Sequence, residues 1–346
     1  MDTVLFVMLA VIAGDALLNG ITNALNLRHL KPALDPEFEG WYDAEKYQSS
    51  QMYLRVTTRF EQVQLIFTTA ATMAFIGLGG FGWADALARG WVSGLIPTGL
   101  VFTAIVSLLS FALTLPFQLY DTFVIEAKFG FNRTTVGTFI ADRIKGLALT
   151  AVLGGLILAG ILWFFARLGD TGWLVAWGAL TVFQFIMLLL APSLLLPIFN
   201  KFTPLADGEL KQAVEAYAAQ QQYRLSGIFT IDGSRRSTKA NAYVTGLGRL
   251  KRIALFDTLI ARHSVGELVA VLAHEVGHAK LGHIRKMLAV NVATTGAMFY
   301  LLSLFLSEPS IYRALGVAWP EGVEAPIYAG LFAFGILTSP LNRLLS

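Results

Sequence analysis

The chain has 346 residues, 55% of them hydrophobic and only 14% charged, with a mean hydropathy of +0.61. Soluble domains carry about 25% charged residues, so this composition excludes an ordinary soluble enzyme and points to a polytopic membrane protein. A net charge of +3 argues against a nucleic-acid surface, and the lack of cysteine removes disulfides, thiolate zinc sites and cysteine catalysis.

Seven apolar stretches approach the ~20 residues that cross a bilayer: 3–24, 63–82, 91–117, 147–166, 173–198, 287–306 and 326–345. The first follows Met1-Asp2-Thr3 directly, without the basic start of a signal peptide, and reads as a retained span. The connection 25–62 carries Arg28, Lys31, Lys46, Arg55 and Arg59, and 118–146 carries Lys128, Arg133, Arg143 and Lys145. The interval 199–286 holds most of the remaining basic residues, whereas the alternate connections hold only Arg89, Arg167 and Arg313. Cytoplasmic loops are the ones enriched in Lys and Arg. The N-terminus is therefore expected outside, and the interval 199–286 and the C-terminus in the cytoplasm.

The expected fold class is an all-α polytopic membrane protein of seven transmembrane helices with a small cytoplasmic α+β region. The expected division is 1–198, five helices with cytoplasmic loops 25–62 and 118–146; 199–286, the cytoplasmic region; and 287–346, two helices. Asp15, Asn19, Asn23, Gln184, Asn291 and Thr294 lie within the spans. Polar side chains at that depth pack between helices or face water, and Asp15 needs a partner or water most of all.

Within 199–286, Asp207 to Gln222 has helical spacing of apolar residues. Ile228–Ile231, Ala240–Thr245 and Ile253–Phe256 read as strands, with a turn at Gly246-Leu247-Gly248 between the last two. Ser264-Val265-Gly266-Glu267 is a capping box that opens a helix. On that helix lies His274-Glu275-Val276-Gly277-His278, an H-E-x-x-H motif. Positions i and i+4 share a helix face, so both imidazoles can reach one metal ion, with Glu275 beside them as general base.

Chance matches to so short a motif occur, but here it sits on a predicted helix, and three of five histidines cluster at 274, 278 and 283. His283 is nine residues after His274, off the shared face. A role beside the metal ligands or toward the transition state fits it better than direct ligation, and a surface histidine remains an alternative. The strand Ala240–Thr245 can offer its edge to an extended peptide, or be an ordinary strand. Arg235-Arg236 could bind an acidic group, but reads first as a solvated surface pair.

These residues resemble the integral-membrane zinc CAAX prenyl protease family (type I), including its bacterial members. The likeness runs through Tyr47–Tyr53, Leu115–Phe117 with Tyr120 and Phe123–Glu126, Phe129–Arg133 and Leu196–Phe202. It continues through Ser234–Ser237 with Asn241–Tyr243, Leu255–Leu259, and His274–His278 with His283. The resemblance implies seven helices around a water-filled chamber and a zincin-like metalloprotease region at its cytoplasmic end. It implies one Zn2+, ligated by His274 and His278, and hydrolysis of peptide or protein substrates, prenylated in some members. It assigns Asn241, Ala242 and Tyr243 to substrate binding. Membrane lipids are the other expected partner, nucleic acid is not, and a bacterial inner membrane is the expected location.

One departure stands out. The resemblance implies a third ligand, a glutamate in a segment like N-x-x-x-S-R-x-x-E-x-x-A-D after the seventh span. Asn342–Ser346 resembles its start, and no residue here matches the glutamate. Glu308, Glu321 and Glu324 are poor substitutes, because the charge pattern puts them on the opposite side. The expectation is a chain that stops before that segment. A ligand from a partner fragment, or a catalytically impaired chamber-forming binding or quality-control module, is the alternative. A transporter would leave the extramembrane H-E-x-x-H unexplained.

Overall fold

The computed structural model describes residues 2–223, 225–245, 251–320 and 323–344. The expected turn at Gly246–Gly248 and Glu321 lie outside the described residues. In chain order the helices are α1 (Thr3–His29), α2 (Ala44–Gly77), α3 (Gly80–Trp91), α4 (Leu95–Tyr120), α5 (Val136–Leu149), α6 (Gly155–Leu168) and α7 (Gly172–Leu194). Then come β1 (Phe202–Pro204), α8 (Glu209–Gln220), β2 (Gly227–Ile231), β3 (Ala242–Thr245) and β4 (Arg252–Phe256). The chain closes with α9 (Val265–Lys280), α10 (His283–Phe305), α11 (Pro309–Ala314) and α12 (Ile327–Leu344).

By length and hydropathy, four described helical runs can cross a membrane: Thr3–His29, Leu95–Lys128, Val136–Phe199 and His283–Phe305. The pair α2 and α3, bent by 64° at the break, makes a fifth, and Ile327–Leu341 is a shorter apolar helix. The 64-residue run Val136–Phe199 is not one rod. Gly169 breaks it at φ 51° and ψ −127°. A Cβ on Gly172 would lie 2.6 Å from the Phe164 carbonyl oxygen; along a straight helix, eight residues span about 12 Å. The chain therefore turns back there, between the stretches expected as the fourth and fifth spans. Helices also outrun the apolar stretches. Asp43 caps α2 through the Glu45 and Lys46 N–H groups, so the polar segment before residue 63 is helical too.

The chain divides into two compact units: Met1–Phe129 with Leu153–Trp173 and Phe299–Ser346, and Gly130–Val152 with Leu174–Met298. In the first, Met8, Phe81, Phe102, Leu162, Tyr312 and Tyr328 form an apolar core. Its outer surface still carries Phe6, Leu17, Leu18, Ile66 and Leu108, all exposed. Helices apolar all round belong in lipid. Inside this unit Asp85 is 3% exposed, bonded by Arg89 Nε through both oxygens at 3.0 and 2.9 Å and by the Tyr328 hydroxyl at 2.5 Å.

The second unit contains a four-stranded sheet in the order β1-β2-β4-β3, with β2 and β4 parallel and the other pairs antiparallel. The expected helix and strands are all present within a few residues of their bounds. The sequence reading missed β1, which has three residues and ends at Pro204. Helix α9 packs against the sheet through Leu268 and Leu272, which share a core with Val214, Ile228, Ile253 and Leu255.

Candidate active site

The capping box at the start of α9 is complete. The Ser264 N–H donates to Glu267 Oε2 at 2.7 Å, and the Glu267 N–H donates to Ser264 Oγ at 3.4 Å. This fixes the phase of the helix that carries the motif. Leu268, Leu272 and Val276 recur every four residues and are buried. At about 100° per residue, His274 and His278 fall on the other side, where both are exposed. Glu275 lies between the two faces and is half-buried. The same helix is thus anchored by one face and chemically open on the other.

The two imidazoles converge: His274 Nε2 and His278 Nε2 are 3.0 Å apart. Two zinc–nitrogen bonds of about 2.0–2.1 Å at a tetrahedral angle put their nitrogens roughly 3.3 Å apart, so the pair fits a shared ion. His283 approaches the other side of the second ring, with its Nδ1 2.7 Å from His278 Nδ1. It therefore meets the nitrogen that the convergent pair does not use. Among the described residues, no group of three His, Asp or Glu side chains closes around a metal position.

β3 lies at the edge of the sheet, paired with β4 from Ala242 opposite Leu255 to Thr245 opposite Arg252, and one bond shows which of its groups face β4. The Phe256 N–H donates to the Asn241 carbonyl at 3.1 Å. In an antiparallel ladder the pairing alternates, so Ala242 and Val244 turn their N–H and C=O groups away from β4. The Ala242 N–H is held by Asn241 Oδ1 at 2.8 Å. The Tyr243 ring meets the Phe256 ring edge-on at 6.2 Å, and burial pushes its phenol up to about 12.

The loop before β3 contains what the sequence reading missed. Arg236 is not a solvated partner of Arg235: its side chain is 22% exposed and paired with Asp142. Nε reaches Asp142 Oδ2 at 2.8 Å, Nη2 reaches Asp142 Oδ1 at 2.9 Å and the Phe199 carbonyl at 2.6 Å, and Nη1 reaches Asn200 Oδ1 at 3.1 Å. The Asp142 hydrogen bonds hold the guanidinium's pKa above its ordinary value. Arg235 itself is exposed, as expected. Two arginines in sequence carry no mark of which is bonded, because the partner is 94 positions away.

Comparison with known proteins decides the family. Residues 23–201 match the family described as CAAX prenyl protease N-terminal, five membrane helices, and residues 204–343 match peptidase family M48. The chain belongs to the M48 peptidases of the CAAX prenyl protease type. It is 34% identical over 333 residues to the probable CAAX prenyl protease 1 of Schizosaccharomyces pombe, covering 92% of this chain and 69% of that protein. It is 35% identical over 335 residues to CAAX prenyl protease 1 of Saccharomyces cerevisiae, covering 89% of this chain and 73% of that protein. The crystal structure of S. mikatae Ste24p superposes with a TM-score of 0.92 at 32% identity, over 99% of this chain and 83% of that one. The protein is a multi-pass membrane metalloendopeptidase with a mostly helical fold and a small sheet region.

Proposed function

We propose that the enzyme hydrolyses peptide bonds of prenylated or membrane-associated peptides at a zinc site built on α9. The observation that carries this is the 3.0 Å approach of His274 Nε2 to His278 Nε2, with Glu275 beside them on the same helix. His274 and His278 supply two of the three protein ligands that a catalytic zinc takes. A bound zinc supplies Lewis acidity, polarising the scissile carbonyl and making water nucleophilic at neutral pH.

The other roles belong to the chain. Glu275 accepts the proton of the attacking water and passes it to the leaving amine. His283 holds the His278 ring through Nδ1, so that Nε2 stays aimed at His274. Extended substrate lies along β3 at Asn241, Ala242 and Tyr243, where the Ala242 carbonyl and the N–H and carbonyl of Val244 provide main-chain hydrogen bonds, the Ala242 N–H being taken by Asn241 Oδ1. Prenyl substrates are suggested by the names of the relatives, CAAX prenyl proteases. A catalytically impaired binding module is the less favoured reading, since the relatives that match along most of the chain are named as proteases.

We also place seven spans in the membrane, with α2 and α3 counted as one and the run Val136–Phe199 as two. The region 199–286 then lies between membrane parts 1–198 and 287–346 and faces the cytoplasm, which the Lys/Arg distribution supports.

Metal content and cleavage, measured together, test the site. The full protein should bind zinc and cleave a membrane-bound peptide, and His278→Ala should lose both. Retention of stoichiometric zinc and full cleavage by that variant would sink the assignment. Orientation is tested by single cysteines, since the chain has none of its own. An impermeant thiol reagent should label intact cells at Glu324→Cys and spare Arg262→Cys; the reverse would overturn the cytoplasmic placement.

A further inference from the structure

Arg236 is bound on more sides than a surface loop requires. Its guanidinium joins Asp142 of α5, the Asn200 side chain and the Phe199 carbonyl. Its own carbonyl accepts the Arg133 N–H at 2.9 Å and the Thr134 hydroxyl at 3.1 Å. The next residues continue the tie: Ser237 bridges Asn132, and Thr238 donates its N–H to the Phe131 carbonyl at 3.0 Å and its hydroxyl to the Gly130 carbonyl at 3.0 Å. The Lys239 carbonyl accepts the Thr258 hydroxyl at 2.9 Å. Upstream, the Ser234 N–H donates to Asp257 Oδ1 at 2.8 Å, and its hydroxyl donates to Asp257 Oδ2. Residues 234–239 are thus pinned at both ends, and three positions later the chain becomes the edge strand.

A strand held to the sheet on one side only needs its entry fixed, because a one-residue slip turns every side chain to the opposite face. β3 has four residues, and its outer side is the one a peptide would use. The ladder to β4 cannot by itself set the twist and height of so short an edge. An arginine fork is suited to this task, since its planar donors fix direction as well as distance.

We propose that Arg236, clamped by Asp142, is a positioning residue for substrate: it sets the entry of β3 and so the alignment of the outward backbone groups of Ala242 and Val244. It touches neither substrate nor metal. This rests on β3 being the substrate edge. A misplaced edge loosens capture of the peptide, while the imidazole pair and Glu275 stay in order, because α9 has its own cap and its buried face is held by Val214, Ile228, Ile253 and Leu255 as well as by Ala242 and Val244 of β3. The consequence is a rise in KM with kcat and zinc content preserved.

The test compares four variants of the full protein in proteoliposomes: Arg236→Ala, Arg236→Lys, Asp142→Asn and Val244→Pro. Arg236→Ala should raise KM about 10-fold or more, with kcat within 3-fold of wild type and unchanged zinc stoichiometry, a loss of ~1.4 kcal/mol in binding per tenfold. Arg236→Lys keeps the charge but not the fork and should fall between the two. Asp142→Asn should raise KM like Arg236→Ala, and the double variant should add little to either, because the two groups act as one unit. Val244→Pro removes an outward N–H without touching the β3–β4 bonds and tests the edge itself; it also removes a side chain packed against Leu268 and Leu272, so unchanged kcat and zinc stoichiometry in this variant show that α9 has kept its place. A KM rise in Val244→Pro with none in the Arg236 variants overturns the clamp alone. An unchanged KM in Val244→Pro overturns the substrate edge beneath it. Loss of kcat and zinc in parallel with KM, in Arg236→Lys as in Arg236→Ala, would show a merely structural arginine and overturn the proposal.

Discussion

Among the described residues, each unit of the molecule contains one arginine–aspartate pair, and the two pairs are built for different work. In the first unit Arg89 and Asp85 lie one turn apart on α3, and the carboxylate side chain is 5% exposed while the arginine is 37% exposed. Tyr328, 243 positions on, closes the group by donating to Asp85 and accepting from Arg89 Nη2 at 3.0 Å. In the second unit Arg236 and Asp142 are 22% and 23% exposed, and the pair joins segments that are neighbours only in the folded chain. A buried carboxylate beside a half-exposed cation is a stability element, because losing the cation leaves a charge that water cannot reach. A shallow pair with a shared fork is a geometric element, because water can replace part of its energy but not its direction.

The largest expected effect sharpens this contrast by supplying a reference with no stability component. Replacing Glu275 by Gln removes the proposed proton acceptor and leaves both imidazoles in place. Peptidase turnover should fall by at least ~100-fold, the lower scale of general acid–base contributions. Zinc stoichiometry and the unfolding temperature should remain those of wild type. Near-wild-type turnover would take Glu275 out of the mechanism.

The next effect is on stability. Arg89→Ala leaves Asp85 buried with only the Tyr328 hydroxyl, and should cost about 3 kcal/mol, the lower end for a buried pair that loses one partner, since Arg89 itself is partly solvated. Thermal or denaturant unfolding in detergent measures it. Arg236→Ala should cost ~1 kcal/mol or less by the same measurement, because Asp142 gains access to water. Equal losses in the two variants would erase the distinction drawn between the pairs.

These two pairs also mark where the sequence was readable. Asp85 and Arg89 are an i, i+4 pair, yet the sequence did not give up their role, because the burial that matters comes from Tyr328 on a distant helix. The helix that carries the candidate H-E-x-x-H site was legible because its parts are local: a capping box, an apolar stripe at Leu268, Leu272 and Val276, and two histidines one turn apart within α9. The orientation of His283 toward Nδ1 of His278 was not, since it depends on the positive φ of 68° at Gly282, where the chain leaves α9 and starts α10. Hydropathy found the apolar part of each membrane helix and missed the polar start of α2, which is helical because Asp43 caps it. It saw the two halves of the Val136–Phe199 run and left their exact limits to the Gly169 turn. Strand β1 escaped because three residues ending in proline carry too little alternation to be seen. The Arg236 clamp escaped most fully: its partners come from positions 142, 199 and 200, and no local pattern links them.

The smallest effect separates the geometry of the edge strand from its ionisation. Tyr243 has a phenol pushed up to about 12 by burial alone. A group whose folded pKa exceeds its unfolded value of about 10 favours the folded state fully below pH 10 and loses that contribution as pH rises toward 12. Tyr243 is thus neutral across the whole working range and cannot be the source of any basic limb in the pH–activity profile below about pH 10. Tyr243→Phe should leave the shape of that profile unchanged between pH 5 and about 10. Above pH 10 the wild-type protein should lose stability more steeply than the Phe variant, because only the phenol must be deprotonated in a half-buried place. The difference should be small, since half of the ring environment is open to solvent. Unfolding temperatures of the two proteins, followed from pH 8 to 11.5, provide the measurement. A basic limb near pH 9 that vanishes in Tyr243→Phe would mean that the phenol acts chemically in catalysis, and that the edge strand contributes more than its backbone.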